Sequence, residues 1–170
     1  MKKRLAAFVL MLLLPLLGKA ESLELPPLVP QAAQTESSSR LLPLQSGPTV
    51  IFLPAGETVD LHSPYVVFGQ EDSWTMIAQG SEEAFGPVGY VQTAALNLSD
   101  VPPLTLDPLP AMLEEDAPLT LSPQGAEAPF AQLRRGHALQ LLFTWGEFIY
   151  VQCDLSSGPA RGFIPLHTIL

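Results

Sequence analysis

The side chains able to take part in catalysis or metal binding are few and scattered. His62, His137 and His167 are the only histidines, and none stands at a spacing such as His-x-x-x-His that would aim two imidazoles at one metal ion. Cys153 is the single cysteine. As a nucleophile it would need a histidine beside it in space. It falls instead in an alternating run, residues 148–153, in which Ile149, Val151 and Cys153 share one face, and a small buried thiol is the expectation there. Glu82-Glu83 and Glu114-Glu115-Asp116 are grouped acids in polar stretches. Cleaving a glycosidic bond with two carboxylates takes a cleft and a fixed separation, and these groups read as solvated turns. Arg134-Arg135 suits a carboxylate partner or an exposed turn. No catalytic, metal or cofactor site follows from these residues, so a non-enzymatic chain is expected. Trp145 differs in kind: it stands in the turn-like Thr144-Trp145-Gly146-Glu147, where an exposed ring reads as a contact residue.

Charge narrows the partners. The chain carries 17 acids against 8 lysines and arginines, a net of −9. The first 20 residues hold Lys2-Lys3-Arg4, an apolar run from Leu5 to Gly18 broken only by Pro15, and small residues at Gly18-Lys19-Ala20. That is the layout of a secretory signal peptide over residues 1–20; the alternative, a membrane anchor, needs about 20 apolar residues. Cleavage after Ala20 leaves an exported chain, periplasmic or secreted, with no stable membrane anchor. It also removes every lysine, so four arginines face all the acids. Phosphate recognition needs clustered Lys and Arg, which argues against nucleic acid, and anionic lipid is disfavoured likewise.

Short strand signals occupy the remainder. Thr49 to Leu53, Thr58 to Leu61, Tyr65 to Phe68, Ser73 to Ile77 and Gly89 to Gln92 are apolar or β-branched runs between turn residues, and Leu119 to Leu121, Ala131 to Leu133, Ala138 to Phe143, Phe148 to Cys153 and Gly162 to Ile164 form a second series. Such spacing predicts an all-β chain. The two series look like one module used twice. Leu53-x-x-Gly56-x-x-Val59 answers Leu133-x-x-Gly136-x-x-Leu139, and Gly89-Tyr90-Val91 with Leu96 answers Gly162-Phe163-Ile164 with Ile169. With this alignment the first copy carries an insertion between Leu61 and Trp74. Residues 21–39 read as a flexible tether, 40–98 as a first and divergent domain, 99–115 as a proline-rich linker, and 116–170 as a second domain.

Taken in order, Ser46-Gly47-Pro48, Leu53…Gly56…Val59, Trp74-Thr75-Met76-Ile77 and Gly89-Tyr90-Val91, with Ser122-Pro123, Leu133…Gly136…Leu139, Phe148-Ile149-Tyr150-Val151 and Gly162-Phe163-Ile164 in the second copy, resemble bacterial SH3-like domains. The resemblance implies two small tandem SH3-like β-barrels at the cell envelope. It implies a non-catalytic binding or adaptor role, with a cell-wall peptide, peptidoglycan or an envelope protein as partner. The alternative is an accessory subunit or small hydrolase acting on the wall. A family-type groove lined by aromatics would draw on Tyr65, Trp74 and Tyr90 in the first copy and on Trp145, Phe148 and Tyr150 in the second, while the alternation around Trp74, Tyr90, Phe148 and Phe163 favours a place in the core for those four. Whether Trp145 and Tyr65 are exposed on a common concave face is the observation that would bear most on such a groove.

Overall fold

The computed structural model describes residues 25, 27–33, 41–45, 57–96, 98, 100–123 and 128–169. The leader expected at 1–20, the strand expected at 49–53 and the Leu53–Gly56 turn lie outside these residues. Every regular element described is a strand or a single 3₁₀ turn, so the chain is all-β. The strands are β1 (Gln31–Ala33), β2 (Leu41–Pro43), β3 (Thr58–Asp60), β4 (Tyr65–Glu71), β5 (Trp74–Gly80), β6 (Phe85–Gln92), β7 (Leu109–Met112), β8 (Ala117–Leu119), β9 (Ala131–Leu133), β10 (Ala138–Trp145), β11 (Phe148–Leu155) and β12 (Gly158–Pro165).

They form two equivalent sets. One four-stranded antiparallel sheet has the order β1-β4-β5-β6, and a second has β7-β10-β11-β12. Each is accompanied by a two-stranded sheet, β2-β3 or β8-β9. Each small sheet is tied to the last strand of its large one by a single bridge, Gln45 to Tyr90 or Thr120 to Phe163. A 3₁₀ turn follows each last strand, at Thr93–Ala95 and Leu166–Thr168. Both second strands of the large sheets carry an extra residue, Phe68 between Val67 and Gly69, and Leu142 between Leu141 and Phe143. A β-bulge of this kind tightens local twist and re-aims a side chain.

This register corrects the alignment read from sequence. Leu133 lies in β9 and Leu139 in β10, on either side of the Gly136 turn. Their counterparts, judged by strand pairing, are Val59 in β3 and Tyr65 in β4, the same interval apart. Val59 therefore matches Leu133, not Leu139, and the insertion between Leu61 and Trp74 disappears. The Leu-x-x-Gly pattern misled because a two-letter landmark recurs by chance. Strand pairing obeys the hydrophobic face instead.

The segments read as tether and linker are structured where they are described. Leu25 is buried in the core of the second half, Pro27 bridges Thr144, and β1 covers the edge of β4. Downstream, Pro103 bridges Gln70, Gln70 N–H donates to the Pro102 carbonyl at 2.8 Å, and Leu104 N–H donates to the Gln70 carbonyl at 2.7 Å. The linker then becomes β7, an edge strand, where Pro110 is tolerated because no ladder donor is needed on the outer side. Apolar residues among the prolines supply the burial that composition alone did not reveal.

Three clusters make the core. One fills the first half around Leu44, Val59, Tyr65, Val67, Ile77 and Leu96. Another fills the second half around Leu119, Leu133, Leu141, Ile149, Val151 and Ile164. The third joins the halves: Phe68, Met76, Phe85 and Tyr90 of the first pack with Leu142, Phe143, Tyr150 and Phe163 of the second. The two large sheets meet through this cluster, and a backbone bond from Val88 N–H to the Leu121 carbonyl, 2.9 Å, crosses the same junction.

Candidate functional site

Two hairpin tips define the edges of the junction. The β4–β5 hairpin closes on the pair Glu71–Trp74, and the β10–β11 hairpin closes on Trp145–Phe148. The first tip reaches across with a charge. Glu71 accepts from Arg161 of β12, at 3.0 Å from Nη1 to Oε2 and 3.4 Å from Nη2 to Oε1. Arg161 is only 7% exposed. It also donates from Nε to Gln152 Oε1 at 2.9 Å and from Nη1 to the Tyr90 hydroxyl at 2.6 Å, with its guanidinium carbon 5.5 Å from the Tyr90 ring centre. Burial opposes the Arg161 charge, yet Tyr90 and Glu71 outweigh it and hold the pKa above its ordinary value. Burial, with Tyr150 beside it, pushes the Tyr90 phenol up, and burial does the same to Tyr150. This is a cross-linking cluster with its donors and acceptors paired.

The second tip reaches across with a ring. Trp145 meets Phe85 of the first half edge-on, with ring centres 4.8 Å apart and planes at 64°. Trp145 and Phe148 are each half-buried. Together with Pro123, Gly146 and Glu147 they line an open depression of about 320 Å³. Gly146 takes φ +55 at the turn, a conformation that favours glycine. The turn is pinned from below, because Leu166 N–H donates to the Glu147 carbonyl at 2.8 Å. Glu147 itself is exposed.

The aromatics expected to line one groove are distributed differently. Tyr65 is buried in the first half's own core, and Tyr90 and Tyr150 are buried in the cluster between the halves. Tyr65 and Trp145 share no face. Trp145 and Phe148 do come together. Trp74, the structural counterpart of Phe148, is half-buried in a separate groove of about 220 Å³ with Leu42, Pro43, Gln45, Val91, Gln92 and Ala95. Sequence reasoning missed Glu71, Gln152 and Arg161 as partners. The available signal was a lone arginine between Ala160 and Gly162 in a strand whose other members are apolar or small.

The remaining reactive groups behave as anticipated or find local partners. Cys153 is buried, and burial followed by the nearby Asp154 carboxylate pushes its thiol up to about 11. Arg134 pairs with Asp116 at 2.7 Å, and Arg135 N–H donates to the same carboxylate at 2.8 Å. Those two contacts, the backbone one first, hold Asp116 below the usual carboxylate range. Among the described residues no group of three or more His, Cys, Asp or Glu is placed to hold a metal ion, and no helix is long and apolar enough to cross a membrane. Comparison with protein-family models, curated proteins and solved structures finds no match.

Proposed function

We propose that the chain is an exported, non-catalytic binding or adaptor protein of the bacterial cell envelope, with each half an SH3-like barrel. The bridges that tie each small sheet to its last strand support closure of the barrels. The matching strand orders of the two halves, with Gly89-Tyr90 and Gly162-Phe163 at equivalent positions, support the family reading, and the leader-like first 20 residues support export. The ligand is a cell-wall peptide or an envelope protein. The observation that carries the binding role is the open depression beside Trp145 and Phe148, where two large rings keep solvent-facing surface on a pinned turn. Rings held this way are typical contact residues. Binding works through one docked body, because the halves share a core cluster.

Co-sedimentation of the full chain with purified peptidoglycan tests the wall version, and crosslinking in intact envelopes tests the protein version. Phe148→Ser should weaken whichever interaction is found. No retention and no crosslinked partner would remove the binding reading. Release of soluble wall fragments by the purified protein would replace it with the hydrolase reading.

A further inference from the structure

We propose that the depression at the β10–β11 tip takes a basic side chain, Lys or Arg, presented by a partner polypeptide. This rests on the binding reading above and names the chemistry of that same site. The lining holds two aromatic rings, one proline, one glycine and one carboxylate, Glu147. Trp and Phe faces attract a cation through their quadrupole, and Trp does so best. Glu147 adds a full negative charge at the rim. An aliphatic stem would lie along Pro123 and the rings while its charged head stays hydrated.

Charge on the rest of the chain points the same way. It carries 17 acids against 8 bases. Two described arginines are committed to carboxylates, Arg134 to Asp116 and Arg161 to Glu71, and no basic residue lines the depression. The long-range field therefore draws cations and repels carboxylate or phosphate ligands. The equivalent tip in the first half lacks this capacity, since its Glu71 already holds Arg161. Size also sets the scale: an open hollow of about 320 Å³ matches one long side chain, not a folded surface.

Tetralysine with blocked ends serves as the probe, titrated into the full chain carrying Trp74→Phe so that Trp145 is the only tryptophan, with excitation at the red edge where tyrosine does not absorb. Saturable change in Trp145 emission is expected, and the fully acetylated peptide should give none. Glu147→Gln should weaken binding about five-fold, the effect of removing one solvent-exposed ion pair. Phe148→Leu should weaken it as well while the circular dichroism spectrum is kept. Glu83→Gln removes an equal charge from an exposed turn elsewhere and should leave binding unchanged. Equal losses in Glu83→Gln and Glu147→Gln would mean diffuse attraction and overturn the proposal, as would an unresponsive Trp145. Retention on peptidoglycan without tetralysine binding would overturn this inference alone and leave the envelope-binding reading standing.

Discussion

Replacing Glu71 with glutamine keeps the shape of the side chain and removes the charge that neutralises Arg161. Arg161 is 7% exposed, while Glu71 keeps 28% of its side-chain surface in solvent. Breaking one partner of a buried pair costs about 3–5 kcal/mol because the other charge stays behind uncompensated. The residual hydration of Glu71 places Glu71→Gln near the lower end, about 3 kcal/mol. Arg161→Met takes away the buried charge itself, along with hydrogen bonds to Gln152 and Tyr90, and should cost about 2 kcal/mol for the groups left unpaired. Once Arg161 is gone, Glu71 has nothing to neutralise. The double variant should therefore lie within about 0.5 kcal/mol of Arg161→Met alone, far from the sum of the two. Equilibrium urea unfolding of the four proteins, followed by circular dichroism, measures the coupling. Additive losses, or a Glu71→Gln cost below about 0.5 kcal/mol, would show that the contact carries no energy across the junction.

Other expectations concern packing and the thiol. Gly162→Ala and Gly89→Ala should each cost about 1–3 kcal/mol by overpacking, because a Cβ would meet the Thr120 carbonyl oxygen or the Leu44 Cβ at 2.7 Å; melting temperatures check this. Phe143→Ala, in the cluster shared by both halves, should cost about 3–5 kcal/mol while unfolding stays a single transition, and two separated transitions would contradict a common core. Leu25→Ala should cost about 2–3 kcal/mol, measured by urea unfolding, if the N-terminal segment staples the second half. For Cys153 the raised pKa favours the protonated thiol in the fold, so its contribution is complete below the ordinary value of 9.0 and is lost as pH rises through about 11. Stability should fall across that window, less so in Cys153→Val, and iodoacetamide at pH 8 should react only after unfolding.

Much of the fold was legible because local rules act locally. Gly89 and Gly162 stand before an aromatic in each copy as matched landmarks, and both sit against the neighbouring small sheet with no room for a side chain. Gly136 stands in the Leu-x-x-Gly turn of the second copy and takes φ +83, the conformation that favours glycine. The strands of the second copy followed their apolar runs within a few residues. What stayed illegible was which face of each strand meets what. Tyr65, Val66, Val67 and Phe68 are all buried, so both faces of β4 are covered and alternation carries no information there. One face meets the first half's own core and the other meets the second half. A sequence pattern cannot distinguish a ring that waits for a ligand from a ring that meets a sister module. Tyr150 thus offers the same pattern as a groove residue yet lies inside the molecule, as does Tyr90, whose alternation already favours the core.

The junction also explains why the two copies diverged unequally. Phe68 and Leu142, Met76 and Tyr150, and Tyr90 and Phe163 occupy equivalent positions in the two sheets by strand pairing, and all six fill one cluster. Each half thus presents the same face to the other, the arrangement of a two-fold dimer contained in one chain. Such a contact places both hairpin tips over the partner half, and each does reach it: Glu71 to Arg161, and Trp145 to Phe85. Symmetry of position is kept while chemistry differs. A carboxylate that closes on an arginine has little left for a ligand. Trp145 packs on Phe85 in a T-shaped pair and stays half-buried, and exposed Glu147 lines the same depression. The two equivalent tips therefore differ, one closed on an arginine and the other bordering an aromatic depression, and the proposed ligand site lies at the second.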